Sequence, residues 1–234
     1  MAQPIVVVAH HVETCGGLVL QWLKEVGSIA LVRPLQGQAL PELEGVAGVV
    51  LLGSHHGVND AVDGLAEERR WVERALAAGV PAFGICFGAQ LLAQIGGSPV
   101  LRAQHPERGV HPVSLVCSSG LPKERLDVMQ WHQDCIARLP AGARWLAKGE
   151  GEHEVQAFAL GSAAGVQFHP ETTAAMLERW SRLPAAPAQC QDWHQALEKL
   201  HPMRAWAHTF LVNHFTTSCV SARLPEPVFA GRLR

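Results

Sequence analysis

The stretch FGICFGAQ, residues 83–90, is the most informative part of the sequence because it joins an apolar strand-like run to an apolar helix-like run through one cysteine. Glycines stand two places before and two places after Cys86, which gives the pattern G-x-C-x-G. In a sharp strand-to-helix turn, small flanking residues let strand and helix approach while the nucleophile holds a strained backbone, often with positive φ. The helix N-terminus favours a thiolate, and its backbone N–H groups can face an oxyanion. The pattern predicts a nucleophile elbow at Cys86.

A buried structural cysteine is the competing interpretation of Cys86, because free cysteine is among the most buried residue types. A cysteine that serves only packing needs no particular neighbours. The two glycines at a predicted strand–helix junction therefore favour the elbow.

Apolar runs alternate with helical patterns on both sides of this turn. Runs typical of buried strands occupy residues 4–9, 28–33, 46–52 and 80–85, and helical patterns occupy residues 14–26, 65–78 and 87–95. This alternation predicts an α/β fold with an open, mainly parallel sheet and helices on both faces.

The pattern changes beyond residue 98. Shorter strand-like runs, some of them expected to be antiparallel, occupy residues 110–117, 127–131, 145–148, 155–160 and 164–168. Residues 172–215 then return to helix. We expect residues 1–182 to form one domain and residues 183–234 to be a helical C-terminal extension of that domain.

The composition excludes several classes of protein. The chain has 234 residues, of which 48% are hydrophobic and 17% charged, so a disordered protein is excluded. Nineteen basic residues against 21 acidic ones form no basic stripe, and we expect no nucleic-acid partner. No apolar run reaches the roughly 18–20 residues of a membrane span, and no basic segment precedes the first apolar run. Six cysteines without CxxC pairs indicate free thiols and a cytoplasmic protein.

A second informative stretch is GVQFHPE, residues 165–171. His169 follows an apolar run, and the ends of strands are where active sites of open α/β sheets lie. Glu171, two residues later, can hold the far side of the imidazole while the other ring nitrogen takes a thiol proton. By itself the stretch is more typical of a surface turn before a helix. Together with Cys86 it completes a nucleophile, a base and an orienting carboxylate.

These stretches, in their order and spacing, resemble the class I glutamine amidotransferases of the stand-alone type, similar to the glutaminase domain of GMP synthase. The resemblance runs from about residue 5 to about residue 180. Besides residues 83–90 and 165–171, the matching motifs are LLG at 51–53, GG at 96–97, ERG at 107–109, WHQD at 131–134 and VQAF at 155–158.

The resemblance implies a Cys–His–Glu triad that hydrolyses the side-chain amide of glutamine through a γ-glutamyl thioester and releases ammonia. Carried over to this chain, Cys86 is the nucleophile, His169 the base and Glu171 the orienting carboxylate. The substrate is then L-glutamine or a γ-glutamyl compound.

The resemblance also assigns the pocket around the nucleophile. Gln90, on the elbow helix, is expected to line the glutamine pocket. The oxyanion donors are expected to be the backbone N–H of Phe87 and one N–H from the loop that carries Gly53 and Ser54. His132, in the W-H-x-D stretch, is expected to position a loop beside the substrate rather than to act as the base.

The loop after the third strand departs from the family. The family has Gly-Gly-Pro where this chain has GSHHG, residues 53–57. Backbone donors survive the change, and the loss of proline restores one N–H. His55 and His56 are either solvated loop residues or groups that select a substrate other than free glutamine.

The thirteen histidines raise the question of a metal. Adjacent pairs such as His10 and His11 rarely chelate one ion together. The seven-residue spacing of His194, His201 and His208 separates helical side chains by about 10 Å per step. Because no zinc-like spacing occurs, we expect no metal and no cofactor.

Three functions remain open at this stage. The chain contains no G-x-x-x-x-G-K-[ST] phosphate loop, so a glutaminase of this kind would feed its ammonia to a separate ATP-dependent synthetase. The same thioester chemistry suits a free-standing hydrolase of γ-glutamyl amides or peptides. A non-enzymatic binding protein on the same fold is the third.

Overall fold

The computed structural model describes residues 3–11, 16–116, 122–183 and 193–220. Their strands are β1 (Ile5–Val8), β2 (Ile29–Val32), β3 (Gly48–Leu51), β4 (Ala82–Ile85), β5 (Val100–Val116), β6 (Pro122–Ile136), β7 (Arg144–Lys148), β8 (Val155–Leu160) and β9 (Ala163–Val166). Their helices are α1 (Gly17–Val26), α2 (Leu65–Ala77), α3 (Phe87–Ile95), α4 (Ala174–Ser181), α5 (Trp193–Lys199) and α6 (His201–Val220).

The described strands form one sheet of nine, in the order β2-β1-β3-β4-β9-β8-β7-β5-β6. The pairs from β2 to β9 are parallel, and the remaining pairs are antiparallel. Every residue of β1, β3, β4 and β9 is buried, which explains why these strands read as unbroken apolar runs. The expected open α/β sheet is confirmed.

Helices cover both faces of the sheet, as predicted. Alternate residues of a strand point to opposite faces, and in β3 this places Val50 in one core and Val49 in the other. The first core contains Leu23 of α1, and the second contains Trp71 of α2. Each helix layer therefore buries its apolar side against the same central strands.

Helix α6 covers part of the sheet, so the described part of the predicted extension contributes to the core. Its buried residues recur at helical spacing: Met203, Ala207, Leu211 and Phe215. Phe215 packs so closely on β3 that a Cβ atom built at Gly48 would lie 2.6 Å from its ring. None of the helices within the described ranges is both long and apolar enough to cross a membrane. Residues 184–192 and 221–234 lie outside the described part, and the domain boundary at 182 stays a prediction.

The hairpin of β5 and β6 corrects one expectation. The sequence predicts short strands at 110–117 and 127–131, whereas the strands are 17 and 15 residues long. Pro106 and Pro112 suggest breaks in the sequence pattern. They are accommodated because β5 pairs with β7 only at Ser114 and Leu115, so most of that edge requires no N–H donors.

The contact between α3 and β3 predicts a large effect of one added methyl group. A Cβ atom at Gly88 would lie 2.2 Å from the carbonyl oxygen of Leu51, which is backbone and cannot rotate away. We expect Gly88→Ala to lower the free energy of unfolding by about 3 kcal/mol, measured by urea denaturation. The control is Gly27→Ala, where φ is 178° and no heavy atom lies within 4 Å. Equal stability of the two variants would contradict the close approach.

Candidate active site

Cys86 occupies the predicted elbow. It follows β4 and caps the N-terminus of α3 with φ 52° and ψ −106°, and it is the one non-glycine residue with positive φ in the described part of the chain. The turn is as tight as the glycines suggested: a Cβ atom at Gly84 would lie 2.4 Å from the backbone of Gly88. Such strain concentrates where a side chain must be presented to a substrate.

His169 and Glu171 lie beside Cys86 because β9 is the parallel neighbour of β4. The register pairs Ile85 with Val166, so both strands end at the same edge of the sheet. His169 Nδ1 lies 2.7 Å from Glu171 Oε1, and both side chains are buried. A Cβ atom at Gly53 would lie 3.3 Å from His169 Cε1 and 3.9 Å from Cys86 Cβ, which shows how closely the three residues converge.

The electrostatics of His169 favour the imidazolium form. Burial alone would lower the pKa of His169, but the charges of Glu171 and Cys86 outweigh it and hold that pKa well above its ordinary value of 6.5. The buried Nε2 atom of His169 has no hydrogen-bond partner among the described residues. A proton carried there is free to be exchanged with a reacting group.

The predicted oxyanion donors flank the nucleophile. Phe87 is the first residue of α3, so its backbone N–H has no partner within the helix. Gly53 and Ser54 follow β3, the other parallel neighbour of β4. The Ser54 hydroxyl accepts a hydrogen bond from the backbone N–H of His56 at 3.0 Å, which shapes the loop.

A buried pair behind this loop was not predicted from the sequence. His10 Nδ1 lies 3.1 Å from the carbonyl oxygen of Gly53, and His10 Nε2 lies 2.8 Å from Glu68 Oε1. The side chains of His10 and Glu68 are fully buried, and the His10 ring packs 4.5 Å from that of Phe87. Both contacts are made to oxygen atoms, so each ring nitrogen of His10 has a partner. The only signal in the sequence was the adjacent pair His10 and His11.

Two cavities meet at Cys86. The first, of about 360 Å³, has a mainly polar wall that includes Gln90, Arg102 and Asp134. Gln90 Nε2 donates to the backbone carbonyl of Asp134 at 3.0 Å, which fixes its side chain at this wall. The pocket role predicted for Gln90 therefore has a defined place.

The second cavity, of about 250 Å³, also borders Cys86. His169 and Glu171 line this cavity and not the first, whereas Cys86 lines both. Its wall is mainly apolar and includes Met176 and Trp180, whose ring packs edge-on at 5.0 Å from that of His169. The exposed His55 borders both cavities.

His132 lies within β6, and the loop-positioning role expected for it stays a prediction. The strand continues through it because it pairs with Glu107 of β5. Its side chain borders the first cavity and is buried, with Nε2 3.1 Å from Glu107 Oε2. Burial lowers the pKa of His132, although the hydrogen bond and charge of Glu107 act in the opposite direction.

His153 joins this pair to form a cluster. The ligand-type atoms of Glu107, His132 and His153 all lie within 4.8 Å of one another. Spacing along the sequence did not reveal this cluster, because its members come from β5, β6 and a 3₁₀ turn at Gly151–His153.

Three curated relatives are similar to this chain. GMP synthase from Aeropyrum pernix is 32% identical over 73% of this chain, and one subunit of the glutamine-hydrolysing GMP synthase from Saccharolobus solfataricus is 31% identical over 66%. The alignments span 34% and 82% of those proteins, so the chain matches about a third of the length of the first. A γ-glutamyl-L-1-hydroxyisopropylamide hydrolase from a Pseudomonas species is 30% identical over 53% of this chain and 46% of its own length.

Structural and family comparisons agree with these relatives. The crystal structure of a glutamine amidotransferase from Thermotoga maritima is 27% identical and superposes with a TM-score of 0.78, covering 95% of this chain and 100% of that one. The family model of class-I glutamine amidotransferases matches residues 16–178, a range that contains the elbow, strands β2 to β9 and His169. The chain belongs to the class-I glutamine amidotransferase family.

Proposed function

We propose that this chain is an amidohydrolase that cleaves the side-chain amide of glutamine through a thioester on Cys86. One observation carries the proposal: a cysteine with φ 52° at a helix N-terminus faces the buried pair of His169 and Glu171. Strain, helix dipole and an oriented base are the combination that nucleophilic catalysis by cysteine requires.

The first half of the reaction uses His169 as the base. Its Nε2 already holds the proton of the Cys86 thiol before the attack, while Nδ1–H stays bonded to Glu171, which stabilises the imidazolium. Sγ then attacks the amide carbon. The resulting oxyanion accepts hydrogen bonds from the N–H of Phe87 and from the loop at Gly53 and Ser54.

The second half of the reaction returns the enzyme to its starting state. His169 Nε2–H protonates the leaving nitrogen, the carbon–nitrogen bond breaks, and ammonia departs from a γ-glutamyl thioester. His169 next takes a proton from water, whose oxygen attacks the thioester carbon. The carbon–sulfur bond breaks, Cys86 leaves as the thiolate beside the protonated His169, and the product acid loses its proton to solvent as glutamate.

In this scheme the two cavities bind different parts of the substrate. The leaving nitrogen must lie next to His169, which borders only the second cavity. The amino-acid part of the substrate then occupies the first cavity, where Arg102 and Asp134 offer charges of both signs. This assignment places the acyl group and the leaving group in the two cavities that border Cys86.

We propose that the ammonia is consumed by a separate ATP-dependent synthetase. The support is the Saccharolobus relative, which is named as one subunit of a glutamine-hydrolysing GMP synthase and aligns over 82% of its length. A synthetase supplies what this chain's proposed site does not, the activation of an acceptor for ammonia.

The second cavity favours a second candidate function. Ammonia needs little space, whereas about 250 Å³ with an apolar wall suits a larger amine as leaving group. The chemistry is unchanged, and only the leaving group differs. The Pseudomonas relative, named as a hydrolase of a γ-glutamyl amide, is consistent with this alternative.

Glutamate release from a series of γ-glutamyl amides tests both functions. We expect release from L-glutamine, and from the amides of isopropylamine and aniline if the second cavity accepts the leaving group. Cys86→Ala should lower kcat/KM by roughly 10⁴-fold or more on every substrate cleaved. The control is Cys135→Ala, which removes a buried free cysteine outside the elbow. Undiminished release by Cys86→Ala would contradict the thioester, and a kcat/KM that rises with leaving-group size would select the hydrolase.

The protonation of His169 tests the role of Glu171. Because Glu171 helps raise the pKa of His169, Glu171→Gln should make that ring deprotonate at lower pH, measured by NMR of labelled histidine. In the wild type, the stabilisation from the protonated pair is complete below the unfolded pKa and is lost as pH rises through the raised folded pKa. The loss should be smaller in Glu171→Gln, where only Cys86 still raises the pKa of His169, whereas Glu178→Gln, on the exposed side of α4, should keep it in full. Identical titrations of His169 in all three proteins would contradict the assignment.

The buried pair of His10 and Glu68 is expected to position the loop at Gly53 and Ser54, which is proposed to supply an oxyanion donor. His10 bonds the Gly53 carbonyl and packs on Phe87, the two places from which the proposed donors come. Glu68→Gln replaces the carboxyl group that contacts His10 Nε2, and we expect kcat to fall about tenfold or more with little change in KM. The exposed neighbour Glu67 supplies the control, Glu67→Gln. A change in KM alone, or equal effects in both variants, would show that the pair does not act on the transition state.

A further inference from the structure

A buried polar cluster lies behind one wall of the first cavity. Glu107 Oε2 is 3.1 Å from His132 Nε2 and 3.6 Å from His153 Nδ1. The two histidine side chains are more than nine-tenths buried, and that of Glu107 is 14% exposed. Buried polar side chains require hydrogen-bond partners, with a donor opposite each acceptor.

The outer nitrogen of each ring is committed to a backbone carbonyl. His132 Nδ1 lies 2.9 Å from the carbonyl oxygen of Asp134, and His153 Nε2 lies 2.7 Å from that of His105. A carbonyl oxygen only accepts, so these nitrogens carry the protons of the neutral rings. The inner nitrogens, His132 Nε2 and His153 Nδ1, then present lone pairs.

Two glutamines show that the groups facing these lone pairs are also acceptors. Gln156 Nε2 donates to Glu107 Oε2 at 2.9 Å and to the His153 carbonyl at 3.2 Å, so Gln156 Oε1 points away from the cluster. That oxygen accepts from Gln130 Nε2 at 2.6 Å. Gln130 therefore turns its own oxygen to His132 Nε2, at 3.1 Å.

Acceptor atoms therefore lie close together with no donor between the two rings and Glu107. His132 Nε2 faces two oxygens, and His153 Nδ1 is buried with no hydrogen-bond partner in the described part of the chain. Acceptors face acceptors in this way where a cation belongs between them.

We propose that Glu107, His132 and His153 form a binding site for one divalent transition-metal ion of the Zn²⁺ class. Two imidazoles and one carboxylate are a ligand set that zinc uses, whereas calcium and magnesium prefer oxygen alone. Bonds of about 2.0–2.1 Å at tetrahedral angles set ligand atoms roughly 3.3 Å apart. The two distances from Glu107, 3.1 and 3.6 Å, bracket that spacing, and all three ligand atoms lie within 4.8 Å of one another.

The surroundings of the cluster match those of known metal sites. Metal-bound histidines almost always donate their second nitrogen to a carbonyl or carboxylate, as both rings do here. Bound carboxylates are in turn hydrogen-bonded, and Gln156 supplies that bond. Gln130 Oε1 or a water molecule is placed to complete four-fold coordination.

The ion would connect three segments of the fold. It would join β5, β6 and the turn at Gly151–His153 behind the wall to which His132 contributes. The proposed metal site contains neither Cys86 nor His169. The proposal of a metal site therefore does not depend on the proposed reaction.

Calorimetric titration of the full chain with ZnCl₂, after treatment with a chelator, tests the site. The Cys86→Ser background removes the thiol that could itself bind zinc. We expect one Zn²⁺ per chain, and we expect His153→Gln to weaken binding by more than the ~10–100-fold that loss of a ligand's hydrogen-bond partner costs. The matched control is His105→Gln, whose side chain is 88% exposed and whose backbone carbonyl remains.

Cobalt provides a second measurement that does not depend on affinity alone. Co²⁺ bound at this site should give the visible bands of tetrahedral nitrogen and oxygen ligation, without a thiolate charge-transfer band, in the wild type and in Cys86→Ser. Glu107→Gln should abolish these bands, and circular dichroism checks that the variant is folded. Absence of zinc binding, or binding unchanged in His153→Gln, would overturn the proposal. The cluster would then be held together by hydrogen bonds and not by a metal ion.

Discussion

The close approach of α3 to the sheet, at the turn that carries Cys86, governs the arrangement of the other elements around the site. The approach is possible because three glycines lack the side chains that would block it: Gly84, Gly88 and Gly165. A Cβ atom at each would lie between 2.2 and 2.9 Å from a neighbouring heavy atom. The positive φ of Cys86 follows from this packing, since no other backbone conformation turns so sharply from β4 into α3.

The order of the parallel strands brings the remaining groups to the same edge. β4 lies between β3 and β9, so the segments that follow these strands surround Cys86 from both sides. One segment carries Gly53 and Ser54, and the other carries His169 and Glu171. Parallel neighbours end together, which is why an open sheet of this kind assembles a site from residues far apart in the chain. The site is thus a consequence of strand order rather than of any single loop.

Buried ionisable groups lie behind two parts of the candidate site: the loop at Gly53 and Ser54, and the cavity wall that contains His132. The two sets of groups differ in how their members contact one another. His10 Nε2 contacts Glu68 Oε1 and His10 Nδ1 contacts the Gly53 carbonyl, so the segment carrying the proposed oxyanion donor is anchored from behind. At the cavity wall, Glu107, His132 and His153 face one another mainly with lone pairs. A hydrogen-bonded pair gives rigidity, whereas acceptors that face one another are a place for a cation.

Local patterns in the sequence were sufficient to predict the α/β class and the elbow, whereas His169 and Glu171 became candidates for the site only when their stretch was combined with Cys86. Each of these features depends on residues that are close together in the sequence. A buried strand is an unbroken apolar run, a tight turn requires glycines nearby, and an orienting carboxylate can lie two residues from its histidine. The length of the β5 and β6 hairpin could not be inferred in this way, because prolines are tolerated only where an edge has no partner. The second cavity, the pair of His10 with Glu68, 58 residues apart, and the cluster at Glu107 emerged only from the folded chain, because such contacts depend on which strands become neighbours.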